Sequence, residues 1–502
     1  MNGRILFPVR PDPIRDWAGY APDRIALVDR ARDLRQSYRE LDRAISRWTG
    51  LLSNLGVELG HRVAVLAGNR PEVVALLFAC HRLGAALVPL NWRLPAAELS
   101  PILHNAEVAL LVYEGTFRTT LEAASAGLDR PPRVVDLDAA TRLLTDDEAR
   151  SVSIEPETPA LVLYTSGTTG KPKGAVLPHR QLFYNAVATA TAWELTAADV
   201  GPISTPFFHT GGWNVFALPV WHRGGRVVLF EKFEPSEFLV GMAEEGCTVA
   251  LTVPTQLVML LECSEWGRPV PSLRAFWAGG APCPLSVQER VRAAGYGLRE
   301  GYGLTECGPN CFVASDDEAR RRPGWVGRPM LFLSMRLVHE DDSPVGEGEP
   351  GELQLRGPQV FSGYLHDPAR SAEAFTADGW LRTGDLAQRS SDGCYRICGR
   401  RKEMFISGGE NVFPAEVEAA LADHPGVVEV AVIGVPDARW GEVGRAFVVP
   451  RAGSRLAEAT VVEHARQRLA GYKVPKSVVL LPALPRLGSG KVDRGALQGL
   501  GE

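Results

Sequence analysis

Apolar and polar positions alternate along this chain in two periods, and the switches between them predict its elements. From Ser37 onward, Leu41, Ala44, Ile45, Trp48, Leu51 and Leu52 recur at three- and four-residue spacing, which marks one face of a helix. Its start is signalled by Ser37-Tyr-Arg-Glu40: the serine can accept from the third amide while the glutamate reaches back. Arg62–Leu66 is a short apolar run of strand type, Pro71–Leu83 is helical in pattern, and 85–90 is strand-like again. That spacing predicts a parallel unit with a right-handed crossover. The succession repeats with a strand at 160–164, a helix at 180–193, a strand at 226–230, a helix at 237–244 and a strand at 249–253. The fold class expected is α/β, with parallel-rich sheets covered by helices.

After about Gly324 the pattern changes. "ELQLR" at 352–356 alternates like a half-exposed strand, and "GEGEPGE", "DGW" and "SSDG" supply turns. A small antiparallel β region is expected before Arg400. Beyond it, 414–421 is helical, 427–435 strand-like and 457–469 helical. This tail reads as a smaller α+β domain. No internal repeat or low-complexity segment interrupts the chain.

Composition narrows the picture. The chain has 502 residues, 45% hydrophobic and 23% charged, with a formal net charge of −5. That is enough for a large buried core in more than one domain, and it leaves no basic footprint for nucleic acid or an anionic membrane. The apolar run at 73–80 is too short to span a bilayer, and 5–9 after Arg4 is too short for a secretory signal. The expected location is the cytoplasm. The cysteines at 80, 247, 263, 283, 307, 311, 394 and 398 form no C-x-x-C pair, so reduced, packed thiols are expected rather than a zinc site.

The densest chemical signal is "YTSGTTGKPKG" at 164–174, which follows the buried-strand pattern "LVLY". Its glycines permit close backbone approach, and its amides, hydroxyls and lysines are donors for anions. Thr165, Ser166, Gly167, Thr168, Thr169, Gly170 and Lys171 are therefore a candidate polyphosphate cradle. A Walker loop is excluded by spacing and context. Gly167 and Gly170 are too close, Pro172 follows Lys171, and 175–177 is strand-like where a helix should start.

This loop resembles the phosphate loop of the acyl-adenylate-forming, AMP-binding enzymes: acyl- and aryl-CoA synthetases, peptide-synthetase adenylation domains and firefly luciferase. The resemblance runs from about Trp17 to Leu497. It is carried by "FFHTGG", "AGGAP", "GYGLTE", "GWLRTGD", "GRRKEMFISGGENVFPAEVE" and "LPRLGSGKVDR", in the family's order. The acyl-CoA synthetase branch is the most similar. The resemblance implies an N-terminal adenylation domain at 1–399, a hinge at 400–402 and a mobile C-terminal lid at 403–502. It implies ATP-dependent conversion of a carboxylic acid to acyl-AMP with release of pyrophosphate, then transfer to coenzyme A. Medium- or long-chain fatty acids come first as substrates, with aryl acids as an alternative. Two other readings stay open: a stand-alone enzyme loading a carrier protein, and a non-catalytic nucleotide-binding member of the fold. The cofactors implied are ATP, Mg²⁺ and coenzyme A. The partners are small molecules, with no nucleic acid and no membrane span, and a homodimer is left open.

Residue roles follow from the same resemblance. Because the attacking carboxylate is already ionised, the first step needs cations and fixed donors more than a base. Lys491 in "GSGK" would bridge carboxylate and α-phosphate, a task suited to a compact ammonium on a flexible stem. Glu306 would bind Mg²⁺, and Thr305 the α-phosphate. His209 would gate the acyl carboxylate. Tyr302 would lie against adenine, with Gly280 and Ala281 along its edge. Asp385 would accept from both ribose hydroxyls. Arg400 would support ribose or phosphates, and Lys402 would be the hinge residue. Gly408 and Gly409 would flank the pantetheine tunnel, with Trp440, Tyr472 and Arg93 as candidate coenzyme A nucleotide contacts. Trp213, Asn214, Leu304 and Cys311 are candidate acyl-pocket residues. One departure stands out: Leu487 occupies a position where the family often has threonine.

Overall fold

The helix start signalled by Ser37 forms in full. In the computed structural model, which describes residues 12–146, 152–165, 173–488 and 490–500, the Ser37 amide donates to Glu40 Oε2 at 2.8 Å and the Glu40 amide to Ser37 Oγ at 3.2 Å. The helix runs Tyr38–Asn54 and buries Leu41, Ile45, Trp48 and Leu52. It packs on Pro71–Leu83, a helix buried on every side, as an all-round apolar pattern requires.

The helix Pro71–Leu83 is the crossover between the parallel strands Arg62–Leu66 and Ala86–Pro89, with Arg62 opposite Ala86. Both strands belong to a seven-stranded sheet. Its order is Gly363–Tyr364, Lys173–Pro178, Pro159–Thr165, Ala86–Pro89, Arg62–Leu66, Leu110–Tyr113, Arg133–Asp136. Pro159–Thr165 joins the parallel part and pairs antiparallel with Lys173–Pro178, so the glycine loop is the connection of a hairpin.

That hairpin changes the second predicted succession. Its strands do not continue one parallel unit. Arg226–Leu229 lies in a four-stranded sheet with Leu34–Ser37, Ile25–Asp29 and Val200–Ile203, while Val249–Thr252 starts a three-stranded parallel sheet with Ala275–Ala278 and Gly297–Glu300. The antiparallel return sends the helix His179–Ala192 off from the opposite end of the sheet, and the chain crosses to another layer. Alternation of elements fixes local type; it does not fix sheet membership.

The expected antiparallel region is the four-stranded sheet Ser334–Val338, Gly351–Arg356, Leu381–Arg389, Tyr395–Arg400. The smaller C-terminal domain has a five-stranded sheet in which Gly441–Pro450, a strand not foreseen from the pattern, lies between Val427–Asp437 and Phe405–Ser407. Val417, Leu421, Val461 and Ala465 from its helices fill a core of its own. This domain touches the larger one at both flanks. Arg451 Nη1 pairs with Glu262 Oε1 at 2.7 Å, and the Ser286 amide donates to Asp423 Oδ1 at 3.3 Å. On the other flank, Asn91 Nδ2 donates to the Gly488 carbonyl at 3.3 Å. Among the described residues no helix is long and apolar enough to cross a membrane.

Candidate active site

Alternating burial along Leu381–Arg389 turns Asp385 inward. The ladder sets it opposite Arg400, whose Nε lies 2.7 Å from Oδ1. The Tyr302 hydroxyl donates to Oδ2 at 2.5 Å. Each oxygen keeps a further lone pair, so the carboxylate can still accept two more donors. Burial pushes the Asp385 carboxyl up, and Arg400 and Tyr302 pull it back. Burial and the Asp385 charge push the Tyr302 phenol well up, so it stays a donor. Gly280 follows the strand Ala275–Ala278 with φ +84°, and it and Ala281 are exposed. The Gly301 amide donates to the Ala278 carbonyl at 2.8 Å, which lays Tyr302 beside this turn.

Thr305 and Glu306 sit in the single turn Thr305–Cys307. Gln181 Nε2 donates to the Thr305 carbonyl at 3.0 Å, and the Phe361 amide donates to the Glu306 carbonyl at 2.7 Å. The Tyr364 hydroxyl donates to Glu306 Oε1 at 2.9 Å. Among the described residues, no lysine or arginine pairs with Glu306, and no donor reaches Oε2. A half-buried carboxylate with one oxygen open and no cationic partner fits a hard divalent cation, which takes one or two carboxylates and completes its shell with phosphate and water.

His209 follows Phe207 and Phe208, and its ring lies 4.5 Å from that of Phe208. Burial first, then the charges of Arg93 and Lys491, lower its pKa to about 4, so the imidazole is neutral at pH 7. Lys491 belongs to the C-terminal domain, yet its charge reaches His209, Asp385 and Lys402 of the opposite wall and the junction. Lys402 is pushed down by burial and by Arg400, Lys173 and Lys491. Mutually repelling cations gathered at one place make a receptor for a polyanion. The turn carrying Lys491 is closed by backbone: the Leu487 amide donates to the Lys491 carbonyl and the Gly490 amide to the Leu487 carbonyl, both at 2.8 Å. Arg486 Nη1 adds a bond to the Gly490 carbonyl at 2.7 Å. The hydroxyl that Leu487 lacks is not needed to form this turn.

The predicted coenzyme A contacts are divided between the two domains. Gly408 and Gly409, at φ +62° and +89°, make the turn between Phe405–Ser407 and Glu410–Val412. Trp440 is 41% exposed and covers Gly408, where a Cβ would come within 2.9 Å of the indole. Tyr472 is exposed on the same domain. Arg93 lies over Trp92 and Phe208 at 5.0 and 5.7 Å from the ring centroids. Two acyl-pocket candidates are core residues. Trp213 is fully buried and stacked on Phe207 at 3.9 Å, and buried Cys311 has its Sγ 3.1 Å from Cys307 Sγ. Leu304 is half-buried; Asn214 is fully buried, and its amide atoms have no protein partner among the described residues. Thr165 ends its strand opposite Lys173, while Ser166, Gly167, Thr168, Thr169, Gly170 and Lys171 lie outside the described residues.

Sequence reasoning missed a set of supporting residues. Gln181, Asn185 and Thr189 form a buried polar stripe at four-residue spacing on the helix His179–Ala192. Asn185 Nδ2 donates to the Asn214 carbonyl at 2.5 Å, and Asn310 Nδ2 to Thr189 Oγ1 at 2.8 Å. The stripe thus ties the π-helical turn Gly211–Ala217 to the segment after Glu306. Its period was readable. Tyr364 had no local signal, and Lys173 was read only as one of the loop's donors.

Comparison with known proteins identifies the family. The AMP-binding enzyme family matches residues 14–365, and the AMP-binding enzyme C-terminal domain matches residues 416–491. A feruloyl-CoA synthase of Amycolatopsis sp is 39% identical over 92% of this chain and 93% of its own length. An indoleacetate–CoA ligase of Aromatoleum aromaticum is 38% identical over 95% of both chains. The o-succinylbenzoate-CoA synthetase of Bacillus subtilis, solved with ATP and magnesium ion, superposes with a TM-score of 0.89 at 30% identity, covering 97% of this chain and 99% of that one. The same enzyme has been solved with its acyl-adenylate intermediate, with a TM-score of 0.89, 30% identity and 97% and 98% coverage. The chain belongs to the AMP-binding enzyme family. Within it, the chain falls in the branch of acid–CoA ligases.

Proposed function

We propose that this protein activates an organic acid with ATP and passes it to coenzyme A. The acid's carboxylate attacks the α-phosphorus, an acyl–O–P bond forms, and the bond to pyrophosphate breaks. Asp385, with Tyr302 and Arg400 on its flanks, holds the ribose. Thr305 donates to the α-phosphate. Lys491 sits between the two anions, where its ammonium offsets their repulsion and the charge that builds on phosphorus oxygens. Neutral His209 lines the approach of the carboxylate without pairing with it. Glu306 would hold magnesium, which when bound neutralises phosphate charge and steadies the leaving pyrophosphate. In the second step the thiol of coenzyme A attacks the acyl carbon and AMP leaves. For that step the C-terminal domain turns about 400–402 and presents Gly408, Gly409 and Trp440. The domain division at 399 and 403 is part of this proposal.

The observation that carries the reading is the seating of the C-terminal turn. Gly488 lies against Leu94 and Glu98, with Asn91 bonded to its carbonyl, and the Lys491 charge reaches His209 and Asp385. That seating supports the reading of an adenylation step served by Lys491. On substrate, the relatives named for feruloyl and indoleacetate move aryl acids ahead of the fatty acids first expected. The test is pyrophosphate release over arylpropenoic, arylacetic and medium- and long-chain fatty acids with MgATP, with coenzyme A or a phosphopantetheinyl carrier as acceptor. Release with an aryl acid and a thioester on coenzyme A is expected. A thioester only on the carrier supports the carrier-loading alternative, and no release with any acid contradicts catalysis.

A further inference from the structure

Among the described residues, the hydrogen bonds to Glu306 come from one short segment, 361–364. The two-residue strand Gly363–Tyr364 pairs with Lys173–Pro178, placing Gly363 opposite Val176 and Tyr364 opposite Ala175. The Leu365 amide donates to the Gly174 carbonyl at 2.8 Å, and the Ser362 amide to the Val176 carbonyl at 3.0 Å. This short strand is therefore clamped to the strand by which the chain leaves the glycine loop. From it, Phe361 holds the Glu306 backbone and Tyr364 holds the Glu306 carboxylate. Lys173 lies over the Tyr364 ring at 5.2 Å from its centroid, within cation–π reach. The ring also packs edge-on against Phe361 at 5.0 Å.

We propose that Tyr364 is a positioning residue for the metal carboxylate: its hydroxyl fixes which Glu306 oxygen faces the nucleotide, and its ring and backbone tie that choice to the exit of the phosphate loop. This rests on the reading of Glu306 as a magnesium ligand. The physical ground is that a glutamate carboxylate rotates freely about its last bond. Holding Oε1 with a donor fixes the carboxylate plane and leaves Oε2, with both lone pairs free, as the favoured coordinating atom. A carboxylate ligand oriented this way binds metal more tightly than a free rotor, and loss of such an outer partner typically costs about 10–100-fold in metal affinity. A tyrosine is suited to the task because its donor stands at the end of a rigid ring, itself held on two sides.

The test uses the full-length protein and three forms: wild type, Tyr364→Phe and Glu306→Gln. Phenylalanine keeps the ring against Lys173 and Phe361 and removes only the donor. Calorimetric titration with ATP, in magnesium and in chelator, gives the gain in nucleotide affinity due to metal. A parallel titration with Mn²⁺ at saturating ATP, followed by the paramagnetic signal of free manganese, reads metal affinity directly. The expected result is a loss of about tenfold in metal affinity for Tyr364→Phe, with metal-free ATP binding unchanged within about twofold. Glu306→Gln should lose at least as much. Equal loss of ATP affinity with and without metal overturns the inference in favour of a purely structural tyrosine. Unchanged metal affinity in Tyr364→Phe, with loss in Glu306→Gln, overturns the inference and leaves the metal reading of Glu306 standing. Full metal affinity in Glu306→Gln overturns that reading and the inference with it.

Discussion

Asp385 carries two partners already, and that determines what its replacement should do. Asp385→Asn keeps the shape but turns one acceptor into a donor facing either the Arg400 guanidinium or the Tyr302 hydroxyl. It also removes the charge that would hold the ribose. Hydrogen bonds to a charged group are worth about 1.5–3 kcal/mol, so ATP affinity should fall by about ten- to a hundredfold. An unchanged dissociation constant in a direct titration would count against the ribose role. At this scale the sequence was informative where chemistry is concentrated in a short motif: Tyr302, Thr305 and Glu306 lie in six residues, and Asp385 is in "TGD". It was silent where a role comes from pairing distant segments. Tyr364 meets Lys173 only because a two-residue strand docks on the hairpin, and nothing in "SGYL" announces that.

The helices Pro71–Leu83 and His179–Ala192 meet through two buried histidines, His81 and His179, whose rings stand edge to face at 4.6 Å. Burial holds His81 at about 3 and pushes His179 well below the ordinary value near 6.5. Both are neutral in the fold. The unfolded chain takes up protons below about pH 6.5 and the folded chain does not, so their contribution to stability is complete above that pH and is lost as pH falls toward the folded values. By pH 5 the His81 part should cost about 2 kcal/mol of unfolding free energy, with His179 adding in the same direction. Denaturant titrations at pH 7 and pH 5 should show that loss, and His81→Leu should lessen the difference by about 2 kcal/mol. A variant whose pH dependence parallels the wild type would contradict the account. Most elements were legible, because a period of 3.6 or 2 is imposed by burial of one face. Val200–Ile203 and Gly441–Pro450 were not: each is short of alternation because both faces are covered or half-covered. The sheet to which each strand belongs was likewise hidden, since it depends on the hairpin around the glycine loop.

At the scale of the whole molecule, the proposed function depends on how the C-terminal domain sits. Among the described residues, its polar contacts with the larger domain include Arg451 with Glu262, Asp423 with Ser286, and Gly488 with Asn91. Exposed pairs of this kind contribute about 0–1 kcal/mol each, which suits the proposed rotation of this domain between the half-reactions. Gly488 has no room to spare, since a Cβ there would lie 2.5 Å from Leu94 Cδ2 and 3.0 Å from Glu98 Oε2. Gly488→Leu should therefore lift the turn from its seat and slow acyl-AMP formation by about tenfold or more, a misplacement effect, while leaving thioester formation from supplied acyl-AMP near wild type. Quenched-flow measurement of both half-reactions checks this. The two-domain division was legible as a change of pattern after the antiparallel region, whereas the seating came only from the fold. The most direct test of the account is Lys491→Ala in single-turnover half-reactions with an accepted acid. Acyl-AMP formation should fall by about 10²–10³-fold, the scale of losing one preorganised charge contact, while transfer from supplied acyl-AMP to coenzyme A persists. Equal loss in both half-reactions, or undiminished adenylation, would contradict the claim that the C-terminal domain delivers this ammonium to the meeting of carboxylate and nucleotide.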